Sequence, residues 1–434
     1  MMKKFKYHQV TRFLDECLIF GIKPSLVRIR KILELLNSPQ KKVNFIHIVG
    51  TNGKTSTTVI VSNILYGHGI KCGYHISPHI NEYTERMWIC GRQVSRERFA
   101  EVFNEIYPYV EEVNKLDMEG PMTQFEIIAA MAFKLAEDEK LQVMVLEAGM
   151  GGRWDATNAA DSKVVGFTGV SLEHTSILGG TISEIAIEKA QVIKRNSSVA
   201  TLSTDNKVLS ILQDKTAETN SRLFLYGKDF SIIRKARMNL SGWEVDIKGL
   251  KSEYLNLKIP LNGNYQPLNL ALSVAVSELY LEIAGRKIEK NLLKNVLKKV
   301  RVMGRFEIIR KNPLVVADTS HNPEGIKNFA QNLKDNFADL KKIIIFAVLK
   351  DKDYKKMISY IVPQSDILIL TSSGTARSLD IDSLENEVYK LKKIPKEIYK
   401  VDNIKNSLNF ALNISKSNGI ICITGSITNL EHIL

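Results

Sequence analysis

At 434 residues the chain has room for two domains of ordinary size. Its 44% hydrophobic and 25% charged residues form an ordinary globular composition, with no apolar stretch long enough to span a bilayer. The formal net charge of +13 suits a solvated lysine-rich surface or anionic small-molecule partners, and no nucleic-acid-binding signature accompanies it. Cys17, Cys72, Cys90 and Cys422 are scattered, which argues against a disulfide framework or zinc motif and for a reducing cytosol. The opening Met1-Met2-Lys3-Lys4-Phe5 leads into charged residues rather than an apolar run, so no signal peptide is expected.

In chain order, strands are predicted over 44–49, 143–147, 163–168 and 199–202, and helices over 54–66, 96–114, 123–136 and 183–192. This alternation predicts a doubly wound, mostly parallel sheet. Thr181 followed by Glu184 reads as a capping box opening the helix that carries Lys189. From 223 to 260 the pattern shortens and alternates, as in Trp243-Glu244-Val245-Asp246-Ile247, and predicts an antiparallel insertion. Helices follow over 267–284 and 289–299. The alternation then restarts near Val302-Met303-Gly304-Arg305, with strands at 314–317, 342–347, 367–371 and 419–424. The fold class expected is α/β: a P-loop-type, mostly parallel sheet domain over 1–300, then a smaller Rossmann-like α/β domain over 301–434.

Gly50-Thr51-Asn52-Gly53-Lys54-Thr55-Ser56 follows the first strand and opens a helix. Backbone N–H groups and the helix dipole favour an anion there, and Lys54 adds a point charge. The first glycine of the long P-loop form is absent, since Ile48 occupies its place. Val143-Met144-Val145-Leu146-Glu147 reads either as the strand-plus-acid that holds Mg²⁺ near a phosphate loop or as a strand ending in a solvated carboxylate. Thr55 offers a hydroxyl to the same cation. Taken alone, His174 is a structural histidine, Lys189 an exposed helix lysine, and His321-Asn322-Pro323 a helix-capping turn.

Together these residues resemble the folylpolyglutamate synthase/dihydrofolate synthase family of Mur-type ATP-dependent amide ligases. The resemblance runs in order along nearly the whole chain. It takes in Phe20-Gly21-Ile22, Leu26-Val27-Arg28-Ile29, the phosphate loop, Ser77-Pro78-His79 and Thr123 with Phe125-Glu126. The most specific stretch is Glu147-Ala148-Gly149-Met150-Gly151-Gly152-Arg153-Trp154-Asp155-Ala156-Thr157-Asn158. Glu173-His174-Thr175, Glu188-Lys189-Ala190, Gly304-Arg305-Phe306-Glu307, Asp318 to Pro323 and Gly425-Ser426 complete it. Thr55, Gln124, Glu173, Tyr265 and Thr319-Ser320 depart from the usual family residues.

The resemblance implies a ligase that joins L-glutamate to a dihydropteroate or folate carboxylate through an acyl phosphate, with both reactions in one enzyme. Another Mur-type amino-acid ligase with a different carboxylate acceptor, or a non-catalytic nucleotide binder, stays open at this point. It implies that Gly50, Thr51, Asn52, Gly53, Lys54, Thr55 and Ser56 cradle the ATP phosphates, and that Asn264 reads adenine. Arg305 then reaches phosphate and Asp318 holds ribose. Ser77, Glu147, His174 and Thr55 become ligands for Mg²⁺, with two metal sites expected, and Lys189 becomes a carbamylated lysine. Ser77, Pro78, His79, Thr123, Phe125 and Asp155 fall at the acceptor pocket, Ser426 on the glutamate side, and His321 beside the acyl phosphate. The partners implied are small molecules, without nucleic acid or membrane, and the protein is expected to be a cytoplasmic monomer.

Overall fold

The computed structural model describes residues 4–21, 23–415, 419–431 and 433–434; Met1, Met2, Lys3 and Ile22 lie outside the described residues. The chain forms two compact units. The first comprises Met1–Lys235, Val245–Lys258 and Pro267–Val300, and the second Ala236–Glu244, Ile259–Gln266 and Arg301–Leu434.

The first unit is built on eight strands: β1 (Asn44–Val49), β2 (Cys72–His75), β3 (Met87–Ile89), β4 (Arg92–Gln93), β5 (Val143–Glu147), β6 (Ser162–Phe167), β7 (Ser198–Thr201) and β8 (Arg222–Leu225). Their order is β4-β3-β2-β5-β1-β6-β7-β8. All neighbours run parallel except at β3 and β4. β5 is buried along its whole length and β1 from its second residue, as expected of continuous apolar runs in a sheet covered on both faces. Phe45, Met144 and Leu146 pack into one core with the helices Val27–Leu35, Arg96–Lys115 and Gln124–Asp138. Val49, Val165 and Phe167 pack with Ala186, Ala190 and Leu212 into another.

The chain runs from β1 out to β2, returns to insert β5 between them, and then crosses to β6 on the other side. That reversal opens a crevice at the carboxyl end of β1, where ligands of such sheets gather. Register pairs Ile48 with Glu147 and Val49 with Phe167, so Gly50, Ala148 and Thr168 leave the sheet side by side.

The stretch read as one insertion divides. Arg222–Leu225 belongs to the main sheet, paired parallel with β7, and a separate three-stranded sheet of β9 (Ser231–Arg237), β10 (Trp243–Lys248) and β11 (Glu253–Ile259) follows. The sequence did not separate them because the short apolar run Leu223-Phe224-Leu225 leads straight into the alternating stretch, and membership of the main sheet is set by pairing with β7 rather than by local pattern.

The second unit carries β12 (Glu307–Lys311), β13 (Leu314–Ala317), β14 (Lys341–Phe346), β15 (Ile367–Leu370), β16 (Glu397–Lys400) and β17 (Gly419–Thr424), in the order β12-β13-β17-β14-β15-β16. Only β12 is antiparallel to its neighbour. Here too the last strand returns between two earlier ones. Asp318 and Gly425 therefore leave adjacent strands, β13 and β17, at their carboxyl ends.

Candidate active site

The turn from β1 into the helix Lys54–Gly67 is held by its own glycines. Gly50 has φ +146°, and a Cβ there would collide with the Thr168 hydroxyl; Gly53 has φ +87° and faces Asn269 Oδ1. Only glycine combines that backbone with that closeness. Thr51 N–H donates to Gly169 O at 2.9 Å, and its hydroxyl accepts from Ser171 N–H at 3.0 Å. The loop is thereby tied to the segment leaving β6. Lys54 Nζ curls back onto the carbonyls of Gly50 (3.2 Å) and Thr51 (2.8 Å).

Glu147, 2% exposed at the end of β5, accepts from the Thr55 hydroxyl at 2.9 Å and from Ser77 N–H at 3.4 Å. One carboxylate thus joins the phosphate loop to the loop after β2. This overturns the solvated-carboxylate reading. The carboxylate and the Thr55 hydroxyl are hard oxygen donors of the kind Mg²⁺ prefers. Among the described residues no cluster of three or more His, Cys, Asp or Glu side chains forms a ready-made metal cage.

Lys189 is the largest departure from a reading by local pattern. It is 4% exposed, and its Nζ donates to Gly50 O at 2.8 Å. Burial, and then the charge of Lys54, push its pKa down to about 7. The helix Ile182–Ala190 that carries it starts with the predicted box: Thr181 Oγ accepts from Glu184 N–H, and Glu184 reaches back to Thr181 N–H at 3.0 Å. The glycine loop after β5 lies directly on this helix. A Cβ at Gly152 would fall 2.6 Å from Glu188 O and 2.7 Å from Lys189 O.

A cavity of about 640 Å³ opens in the same unit, lined among others by Ser77, Pro78, Thr123, Phe125, Asp155 and His174. Phe125 packs on Gly149, whose missing Cβ would meet its ring at 2.7 Å. Thr123 caps the helix Gln124–Asp138 in a second reciprocal box with Glu126. Asp155 is 4% exposed and accepts from Met150 N–H (2.9 Å), Thr157 N–H (3.0 Å) and the Thr157 hydroxyl, so it organises the glycine loop; burial raises its pKa. His174 sits at φ +51° at the start of the helix Thr175–Leu178, with its Nε2 3.9 Å from Glu173 Oε1. His79 turns elsewhere: its Nδ1 accepts from Arg86 Nε at 2.8 Å and its ring lies 4.4 Å from that of Tyr83. Burial and the Arg86 charge push its pKa down to about 3.

A buried ion pair beneath this cavity had no role in the sequence reading. Arg28 is fully buried; its Nε reaches both oxygens of Glu126 (3.1 and 3.0 Å), and its remaining nitrogens take the carbonyls of Glu119 and Lys23. The available signal was an arginine four residues before Ile32 on the apolar face of its helix.

In the second unit, Asp318 is 1% exposed and accepts from Phe306 N–H (2.8 Å), Ser320 N–H (2.9 Å) and Tyr265 OH (3.4 Å); burial raises its pKa. Arg305 donates to the Thr319 hydroxyl. His321 Nδ1 lies 2.9 Å from Thr319 O, which places a proton on that nitrogen. Asn322 caps the helix Pro323–Asn336, as its Asn-Pro sequence suggests. Ser426 is buried and accepts from Thr428 N–H. Asn264, next to Tyr265, is bonded to Asp335 and Asn336.

The model of the Mur ligase middle domain matches residues 48–277, and that of the Mur ligase glutamate ligase domain matches 304–427. The dihydrofolate synthase/folylpolyglutamate synthase of Bacillus subtilis is 31% identical over 428 residues, 98% of either chain. That of Mycobacterium tuberculosis is 32% identical over 84% of this chain and 77% of its own. The crystal structure of Mycobacterium tuberculosis folylpolyglutamate synthase complexed with ADP and AMPPCP superposes with a TM-score of 0.90 at 30% identity, covering 98% of this chain and 96% of that one. The chain belongs to the dihydrofolate synthase/folylpolyglutamate synthase family of Mur ligases.

Proposed function

We propose that this enzyme is an ATP-dependent ligase that adds L-glutamate to the carboxylate of dihydropteroate and of a reduced folate, performing both reactions at one site. The observation that carries the reading is a continuity within the first unit. Ser77 lines the cavity, and its N–H donates to the Glu147 carboxylate that also accepts from Thr55 of the phosphate loop. An acceptor in the cavity is therefore one residue away from the phosphate cradle.

A carboxylate resists attack by an amine, because its charge repels the nucleophile and oxide leaves poorly. Transfer of the γ-phosphoryl group from ATP gives an acyl phosphate and ADP. The glutamate amine then attacks the carbonyl, the C–N bond forms, the C–O bond to phosphate breaks, and the amine gives up a proton. Such phosphoryl transfer depends mostly on positioning and charge neutralisation. In this scheme Gly50 to Ser56 hold the phosphates, and Lys54 leaves its two carbonyls for the β/γ oxygens. Asn264 takes adenine, Asp318 ribose and Arg305 phosphate; Ser426 and His321 serve the incoming glutamate. Thr123, Phe125 and Asp155 receive the pterin, with Ser77 and Pro78 in the wall beside it; His79, which turns onto Arg86 and Tyr83, supports that wall from outside the cavity.

Thr55, Ser77, Glu147 and His174 would hold Mg²⁺, and a carbamate on Lys189 a second ion; when bound, the metal offsets phosphate charge. A lysine must be neutral to take up CO₂, and the lowered pKa of Lys189 supplies that form near neutral pH. We assign residues 1–300, apart from Ala236–Glu244 and Ile259–Gln266, which belong to the second unit, as the ATP-binding domain and 301–434 as the glutamate-ligase domain, in a cytoplasmic monomer.

The test is phosphate release with ATP, Mg²⁺ and L-glutamate, with dihydropteroate, tetrahydrofolate or no acceptor. Release with both acceptors is expected. Release with one alone restricts the enzyme to that reaction, and release with neither refutes the folate reading.

A further inference from the structure

Three large apolar side chains that stand in water line the same cavity: Trp154 at 49% exposure, and Ile177 and Ile187 at 41% each. They come from three elements: the loop after β5, the helix Thr175–Leu178 and the helix Ile182–Ala190. Exposed apolar area costs roughly 25 cal/mol per Å², so exposed apolar side chains that line one cavity mark a surface meant to be covered. The backbone that carries the indole is fixed on both sides. Arg153 N–H donates to Glu188 O at 3.0 Å and its guanidinium pairs with the Glu188 carboxylate at 3.1 Å, while Asp155 is buried in its own hydrogen bonds. The other two tryptophans are already engaged. Trp88 stacks on Tyr74 at 5.4 Å and 1°, and Trp243, 7% exposed, donates to Gly263 O.

We propose that Trp154, which lines the cavity together with Ile177 and Ile187, covers the flat aromatic body of the acceptor and sets the affinity for it. The inference rests on the ligase reading above, because the occupant is the acceptor of that reaction. The same cavity wall contains Ser77, Gly149 and His174, so an acceptor gripped there reaches toward the carboxyl ends of β2 and β5. A planar indole on a planar ring contributes an offset-stacking term beyond its buried area, enough for roughly tenfold in affinity.

The experiment uses the full chain with ATP, Mg²⁺, L-glutamate and dihydropteroate. W154A is expected to raise the acceptor KM about tenfold while the KM values for ATP and glutamate stay put, and W154F to recover most of the loss. Dihydropteroate is expected to shield wild-type fluorescence from acrylamide, and that shielding to vanish in W154F, where Trp88 and Trp243 remain. An unchanged acceptor KM in W154A, an equal loss in W154F, or no shielding in the wild type overturns the proposal while leaving the ligase reading in place. A wild-type enzyme that releases no phosphate with any pteroate or folate removes that reading, and the inference with it.

Discussion

The Lys189 ammonium shows how far tertiary burial can move a single group. An unfolded lysine keeps its proton to about pH 10.4, whereas the buried one releases it near 7. Between those values the native state binds fewer protons than the unfolded chain, so this residue makes stability rise with pH from 7 upward. Carbamoylation of Lys189 by cyanate, followed by mass spectrometry, should have its half-point near pH 7, far below that of exposed lysines. Lys54→Ala should move the half-point up, since the second-largest cause of the shift is removed. Lys189→Ala should lose turnover and regain part of it with short added carboxylates. Full unaided activity would exclude the carbamate. Arg28 makes the opposite case, a buried charge held by a partner. Arg28→Met strands Glu126 in the core and should cost about 3–5 kcal/mol in urea unfolding.

At the level of elements, the carboxyl-end loops do the positioning, and they rest on helices as well as on one another. Gly152 is the clearest example, because the atoms its Cβ would meet are backbone carbonyls that cannot step aside. Gly152→Ala should lift the loop from the helix Ile182–Ala190, re-expose Lys189 and destabilise the chain by about 1–3 kcal/mol. A fall in the urea midpoint at unchanged slope, together with a Lys189 reactivity half-point moving back toward that of a free lysine, would record both effects. The capping boxes at Thr123 and Thr181 were legible in advance, because a cap is decided by residues three apart. The strands 44–49, 143–147, 314–317 and 419–424 were legible for the same local reason: their apolar runs are buried on both faces. β8 was misassigned because its apolar run is short and only half-buried, and its place in the main sheet is set by pairing with β7.

At the scale of the whole molecule, a nucleotide that binds only the native state must stabilise it by mass action. Mg²⁺-ADP at a hundred times its Kd should add about 2.7 kcal/mol and raise the Tm of the full chain in calorimetry. Lys54→Ala should abolish that shift, and an unaltered shift would remove the loop from nucleotide binding. Among the described residues no helix is long and apolar enough to cross a membrane. The alternation of strands and helices was enough to predict two α/β sheets, and the phosphate loop and the acid ending β5 were readable because each is a run of adjacent residues. The strand order was not readable, since β5 enters between β2 and β1, and β17 between β13 and β14, by pairing across long stretches of chain. The same holds for the state of the site. By itself the sequence determined the fold class, the phosphate loop and the caps, all set by neighbours along the chain. Only the tertiary structure decided that Lys189 is buried against Gly50, that Arg28 holds Glu126 and that Trp154 lines a cavity, because burial and charge pairing depend on what the fold brings alongside.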